Sequence, residues 1–375
     1  MSTSHRAHGL AGDHTAPDWP PLATAEVAAL LAAFPEGGTL REVRWHSPRP
    51  LSAAALVETD RGLRFIKRHH QRVRTVHALG EEHQFVAHLR ARALPTPDLL
   101  RDRDGRTAIG RGDWTYEIQQ PAQGIDLYRE RMSWQPPFAP GHAHAAGRML
   151  ARLHAAADDY RAPQRSTHIL VARSEVLAAA DPVSALQAQL ATRPGLAAYL
   201  AGRAWQRELG AALAPWHARV QPHLAAQPAL WTHGDWHVSN LFWSGADATA
   251  RVASVLDFGL AARNFALFDL ATAIERNAIA WLDLDGEGAR PDIALALIQG
   301  YREHAALPGE ALAVLADLLP LVHIDFALSE VEYFHAITGS RVNADVAWET
   351  FLLGHAAWFR THAGASFLST IRDQP

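Results

Sequence analysis

The chain contains no cysteine, which removes disulfides and thiolate metal sites and fits a reducing compartment. Lysine is scarce too: the basic side chains are dominated by arginine, and Lys67 is the only lysine. Long apolar runs are missing. No stretch reaches the roughly 20 uninterrupted apolar residues of a membrane span, and the opening MSTSHRAHGLAGDHTAPDWPP has no apolar run behind its basic residues. Neither sign of charge dominates, since 35 Lys and Arg stand against 39 Asp and Glu. Nucleic acid and anionic membranes therefore lose their electrostatic footprint as partners. The expectation is a cytoplasmic protein, with an oligomeric state that the residues do not reveal.

What is present is an ordinary globular composition, 48% hydrophobic and 20% charged over 375 residues, a length that favours two lobes. Residues 1–20 are polar and aperiodic and read as a flexible tail. Residues 21–119 read as a first lobe. TAEVAALLAAF (24–34) has helical spacing behind a Thr24 cap, and three strands follow, LREVRWH, AALVET and LRFIKRHH, the last two joined by a DRG turn at 60–62. VHALGEEHQFVAHLRARA (76–93) reads as a helix with Phe85, Val86 and Leu89 on one face, and WTYEIQQ (114–120) as another strand. QPAQG then breaks the pattern, and residues 120–124 are read as a hinge.

Residues 125–375 form the larger lobe, rich in Ala and Leu, with helices expected at 141–157 and at roughly 173–191, 195–224, 269–281, 291–305, 309–337 and 344–363. One β-like island, 229–260, interrupts them. The fold class is therefore α+β, a small β-rich lobe and a larger, mostly helical one. The island carries the polar cluster WTHGDWHVSN (231–240) and then RVASVLDFGLA. Asp235, Asn240 five residues later, and Asp257 at the end of the next apolar strand place three oxygen ligands where a phosphate-bound magnesium could sit. Phosphoryl transfer needs such a metal, a carboxylate to orient the attacking hydroxyl and a lysine on the nucleotide phosphates. Lys67, inside an apolar strand, supplies the lysine. Glu81 and Glu82 on the following helix are its possible partners, with Glu82 preferred because it lies nearer the apolar face.

The series HGDWHVSN, LDFG and FDLA (268–271) resembles the aminoglycoside phosphotransferase family, the kinase-like small-molecule kinases that include homoserine and choline kinases. The resemblance runs from about residue 35 onward and includes GRMLARLHA (147–155). It implies a two-lobe protein-kinase-like fold that uses ATP and Mg2+ to phosphorylate a hydroxyl of a small molecule. Asp235 then resembles the catalytic base, Asn240 and Asp257 the magnesium ligands, Lys67 the phosphate-binding lysine and Glu82 its partner. The segment EIQQPAQG, with Gln119 and Gln120, resembles the stretch whose backbone meets adenine. Two departures stand out. HSPRPLSAA (46–54), between the first two strands, contains no glycine, so a G-x-G-x-x-G loop is absent and Ser52 or nearby amides would have to hold phosphates. Trp236 replaces a smaller aliphatic residue.

His233 and His237 are read as bracing the loop rather than moving protons, and Asp269, opening the helix FDLATAIE, as bracing or capping. Two other readings compete. The alternating His233, Asp235 and His237 could ligate zinc in a hydrolase, and the missing glycine loop would suit a nucleotide-binding pseudokinase. Glu275, Asp283, Asp285, Asp325, Glu330 and Glu332 could form an acidic face for an amine-bearing acceptor such as an amino alcohol or aminoglycoside.

Overall fold

The computed structural model describes residues 17–131 and 134–374. Helix α1 (Thr24–Leu31) leads into a five-stranded antiparallel sheet of β1 (Leu40–His46), β2 (Ala53–Thr59), β3 (Gly62–His70), β4 (Ile109–Arg111) and β5 (Trp114–Gln119), in the order β1-β2-β3-β5-β4. Helix α2 (Val76–Ala91) lies between β3 and β4 in sequence. β2 and β3 turn tightly through Asp60-Arg61, with Thr59 paired to Gly62. Helix α1 is not started by Thr24: its cap is Ala23, whose N–H donates to Glu26 Oε2 at 3.1 Å, so a carboxylate in the first turn does the work expected of the threonine.

Residues 1–16 of the expected tail lie outside the described residues. Its last four correct the expectation of mobility, because Tyr333 Oη donates to Asp18 Oδ2 at 2.7 Å, Trp19 stacks on His70, and the Pro20 carbonyl accepts from Arg68.

The larger lobe is built on α3 (Pro140–Ala157), α4 (Glu175–Ala178), α5 (Pro182–Gln189), α6 (Pro194–Leu200), α7 (Trp205–Leu224), α8 (Ala266–Ala278), α9 (Pro291–Arg302), α10 (Gly309–Leu318) and α11 (Ile324–Glu332). After α11 come α12 (Arg341–Asp345), α13 (His355–Trp358) and α14 (His362–Arg372), with π-helical turns at Tyr333–Ile337 and Val346–Gly354. The expected helix at 173–191 is two, because Pro182 opens a new one. The one expected at 195–224 breaks at Gly202, whose φ of 77° suits only glycine, and 309–337 breaks between Leu318 and Ile324. Helices α3 and α9 cross closely: a Cβ at Gly147 would lie 2.0 Å from the Leu297 carbonyl, and one at Gly300 would lie 1.9 Å from that of His144.

Two cores hold the lobes. Val27, Leu30, Leu31 and Phe34 pack on the sheet through Val57, Ile66 and Ile118. The larger core belongs to the helices, and Phe85, Val86 and Leu89 of α2 join it rather than the sheet core. Phe85 meets Tyr160, Trp231 and Phe258. Each such buried side chain contributes about 1.5–3 kcal/mol, so α2 is fastened to the larger lobe. Arg74, just ahead of α2, adds donors to the carbonyls of Ile169, Leu170 and Gly259. Among the described residues no helix is long and apolar enough to cross a membrane.

The short helix α4 depends on a distant carboxylate: the backbone N–H groups of Val176 and Leu177 both donate to Asp325 at 3.2 Å. Burial, then the neighbouring Glu175 charge, pushes Asp325 up to about 7 from 3.8. The folded protein thus holds this proton more tightly than the unfolded chain, so the stability it contributes is full below about pH 4 and declines as pH rises to about 7. Urea unfolding of Asp325→Asn, which keeps a carbonyl acceptor, should show a flatter dependence on pH over that window than the parent.

Candidate active site

The polar cluster lies on a loop between two small ladders. Strand β6 (Leu230–Thr232) pairs with β9 (Ala262–Asn264), and β7 (Leu241–Trp243) with β8 (Val252–Val255). The loop 233–240 runs from β6 to β7, and Asp257 follows β8. Gly234 has φ 76°, and a Cβ there would meet the Leu260 carbonyl at 2.7 Å and Ala172 at 2.8 Å, so only glycine permits this turn.

Asp269 secures the turn. Its carboxylate accepts the His233 N–H at 2.9 Å and the Gly234 N–H at 2.8 Å, and His154 Nε2 lies 3.0 Å away. Asp269 is fully buried yet held below the usual carboxylate range, because the His154 bond and the loop amides outweigh the burial that pushes it up. It does not cap its own helix, which starts at Ala266 behind Phe265. His233 Nε2 lies 2.8 Å from the Leu256 carbonyl, and its Nδ1 accepts the Asp235 N–H. His237 Nδ1 meets Ser239 Oγ at 2.6 Å. With both nitrogens of His233 engaged within the loop, the set His233, Asp235 and His237 does not assemble as a zinc site. A different trio, Glu275, His323 and His355, comes together among the described residues, and the His355 Nδ1 contact to Glu275 at 3.1 Å occupies it internally.

Asp235 is half-buried, with Oδ2 accepting from Asn240 Nδ2 at 3.0 Å and Oδ1 3.0 Å from Arg276 Nη1. Burial pushes its carboxyl up, but the Arg276 guanidinium, helped by His237, holds it well below the carboxylate range. Asn240 Nδ2 also donates to the Asp235 carbonyl, and this orientation turns its amide oxygen away from Asp235. Asp257 adopts a left-handed backbone (φ 54°, ψ 72°), which Asp tolerates better than most residues, and its side chain is 43% exposed.

Lys67 is the only lysine in the sequence. Its Nζ lies 3.0 Å from Asp257 Oδ1, a contact that spans 190 residues and joins the two lobes. Burial opposes its charge, but Asp257, Glu117 and Glu82 together hold it above its ordinary value. The expected Lys67–Glu82 ion pair is corrected here, since the ammonium is drawn to Asp257 instead. Glu82 is buried beside it, with Arg165 at 3.8 Å, whereas Glu81 turns to the Ser166 N–H and hydroxyl.

Sequence reading missed Glu117, directly across from Lys67 in the β3–β5 register and bonded to His83 at 2.7 Å. Its signal was a lone carboxylate in an apolar strand. Arg276 was also missed, on a helix buried on every side.

At the segment joining the lobes, Gln119 Nε2 donates to Glu117, while Gln120 donates its N–H to Asp98 and accepts from Arg64 at its side chain. Ser52 sits half-buried at the end of the glycine-free loop. Arg49, from that same loop, brings its charge close to His237. The supposed acidic face does not form one surface, and only Asp283 and Asp285 of its six carboxylates are exposed. Glu275, Asp325, Glu330 and Glu332 are all buried, the last paired with Arg193 at 2.7 Å, and Asp283 caps its own turn through the Glu287 N–H.

This architecture has close counterparts of known structure. The microcompartment-associated aminopropanol kinase superposes with a TM-score of 0.60 at 18% identity, covering 94% of this chain and 99% of that one. An amicoumacin kinase, solved with AMP-PNP, Ca2+ and Ami, gives 0.55 at 14% identity over 93% of each. The fold is that of the two-lobe, protein-kinase-like small-molecule kinases. A model of the phosphotransferase enzyme family matches residues 51–320, and the chain belongs to that family. Homoserine kinase of Methylobacterium radiotolerans is 33% identical over 246 residues, and that of Granulibacter bethesdensis 27% identical over 258. The chain spans 62% of the length of the first and 67% of the second.

Asp269→Ala should strand two buried N–H donors and His154 at once, costing on the order of 3–5 kcal/mol. Its urea midpoint should fall accordingly against the parent.

Proposed function

We propose that the protein transfers the γ-phosphoryl group of ATP to a hydroxyl of a small molecule. The observation that carries this reading is the convergence of Lys67 from the sheet lobe with Asp257, Asp235 and Asn240 from the helical lobe. Adenine would lie against the 119–123 segment, where among the described residues neither the Gln120 carbonyl nor the Ala122 N–H has a hydrogen-bond partner. Lys67 would meet the phosphates, aided by the charge of Arg49 and by Ser52 in place of a glycine loop, with Glu82 and Glu117 fixing the lysine.

The donor set fits Mg2+: the Asn240 amide oxygen has no donor among the described residues, and Asp257 offers a partly exposed carboxylate. These are hard oxygen ligands of the kind magnesium prefers. When bound, the ion supplies charge neutralisation for the phosphates. The chain's own part is positional. Asp235 orients the acceptor hydroxyl so that its oxygen bonds to the γ-phosphorus as the bond to the ADP oxygen breaks, and it accepts the hydroxyl proton. A carboxylate held so acidic is a weak base, so the proton moves late, once the new P–O bond has acidified the hydroxyl, as a loose transition state allows. His233, His237 and Asp269 keep that carboxylate in place.

The homoserine kinase relatives and the aminopropanol kinase fold favour an amino alcohol or hydroxy amino acid as acceptor. ADP release in the presence of ATP and Mg2+, measured over amino alcohols, hydroxy acids, sugars and aminoglycosides, should depend on one acceptor class. Asp235→Asn and Asp257→Ala should each lower that rate at least a hundredfold while melting as folded proteins. Retention of more than a tenth of the parental rate by either variant would sink the reading.

A further inference from the structure

Arg276 is the one charged group at Asp235 that phosphoryl transfer as described leaves idle. It lies on α8, 6% exposed, with its guanidinium 4.4 Å from the Trp134 ring centroid and 5.5 Å from that of Phe326. Aromatic faces on this cation hold its plane without neutralising it. Among the described residues its only carboxylate within 4 Å is Asp235. Glu275, its neighbour in the chain, faces His355, and Glu330, whose charge it would feel, is pushed up to about 8 by burial. A guanidinium has five N–H donors, and one ion pair does not use them. Arg276 also lines a small cavity of about 10 Å3 against the loop glycine Gly234, shared with Glu275, His323, Phe326 and Phe351. That is room for roughly one water molecule beside the guanidinium.

Oδ2 of Asp235 accepts from Asn240, while Oδ1 faces Arg276 Nη1 at 3.0 Å and has no hydrogen-bond donor. An acceptor hydroxyl bonding to Oδ1 therefore comes against the guanidinium. A neutral acceptor offers the unused N–H donors of that buried cation nothing to bond, which is unfavourable. An acceptor bearing its own carboxylate gives those donors a partner, and a bidentate one.

We infer that Arg276 is a specificity residue that binds a carboxylate on the phosphoryl acceptor and, in doing so, places the acceptor hydroxyl at Asp235 Oδ1. This rests on the kinase reading and narrows it to small hydroxylated acids whose carboxylate lies a few atoms from the hydroxyl. The selectivity comes from the carboxylate meeting the guanidinium donors that an acceptor without one leaves unbonded.

The test compares acceptors matched except for the carboxylate, L-homoserine with 3-amino-1-propanol and 4-hydroxybutanoate with 1-propanol, by ADP release with ATP and Mg2+. In the parent, kcat/KM should be at least about tenfold higher for the acid in one pair or both. Arg276→Gln should lower kcat/KM for the acid by about ten- to a hundredfold, the range for a hydrogen bond to a charged group. It should lower kcat/KM for the acid at least about fivefold more than for its decarboxylated partner, leave the KM for ATP within about threefold, and Arg276→Lys should recover part of the loss. Equal or better use of the decarboxylated partners, an equal loss on both by Arg276→Gln, or turnover confined to acceptors without an anionic group overturns the inference while leaving the kinase standing. Absence of Asp235-dependent ADP release with every acceptor overturns the kinase reading and this inference with it. If Arg276→Gln does not fold, the parental ratio within the matched pairs decides.

Discussion

The fully buried carboxylate of Asp269 is the fixed point of this site. Its two oxygens take the N–H groups of His233 and Gly234 and meet His154, which in turn reaches Tyr301 on α9 through Nδ1. A buried carboxylate is costly unless it is fully hydrogen-bonded, and here the bonds that stabilise it also define the turn. The helices α3, α8 and α9 thereby dictate where Asp235 stands, and Gly234 is the residue that lets the chain come close enough.

A second constraint joins the lobes. The sheet provides a half-buried lysine whose charge needs a partner, and the nearest carboxylate at bonding distance belongs to the other lobe. The apolar face of α2 reinforces this, because it enters the helical core and carries Glu82 with it. The two lobes are therefore joined by the Lys67–Asp257 pair, by α2 with its ion pairs to Arg165 and Asp159, and by the buried Arg74.

Inside the helical lobe the density of charge is unusual. Glu275, Arg276, Asp325, Glu330 and Glu332 occupy positions that patterning alone would assign to solvent or to an acidic docking face, yet all are buried. Glu332 pairs with Arg193, Asp325 accepts two backbone N–H groups, and Arg276 faces Asp235. In the proposed reaction the Arg276 counter-ion makes Asp235 a weak base, which leaves orientation of the hydroxyl as its main part.

The strands, the helix α2, the break after Gln119 and the polar loop could be read from the chain, because alternation, helical spacing and turn residues are local signals. Asp235, Asn240, Asp257, Asp269 and Lys67 were legible for the same reason, as polar residues at fixed spacings inside apolar segments. The breaks at Pro182 and Gly202 were local signals passed over. Three things were settled only by the tertiary structure: that Lys67 meets Asp257 rather than Glu82, that Glu117 stands opposite it, and that Arg276 closes on Asp235. Each is a contact between elements far apart in the chain, and which of several nearby charges pair is decided by burial and distance, quantities that a sequence does not carry.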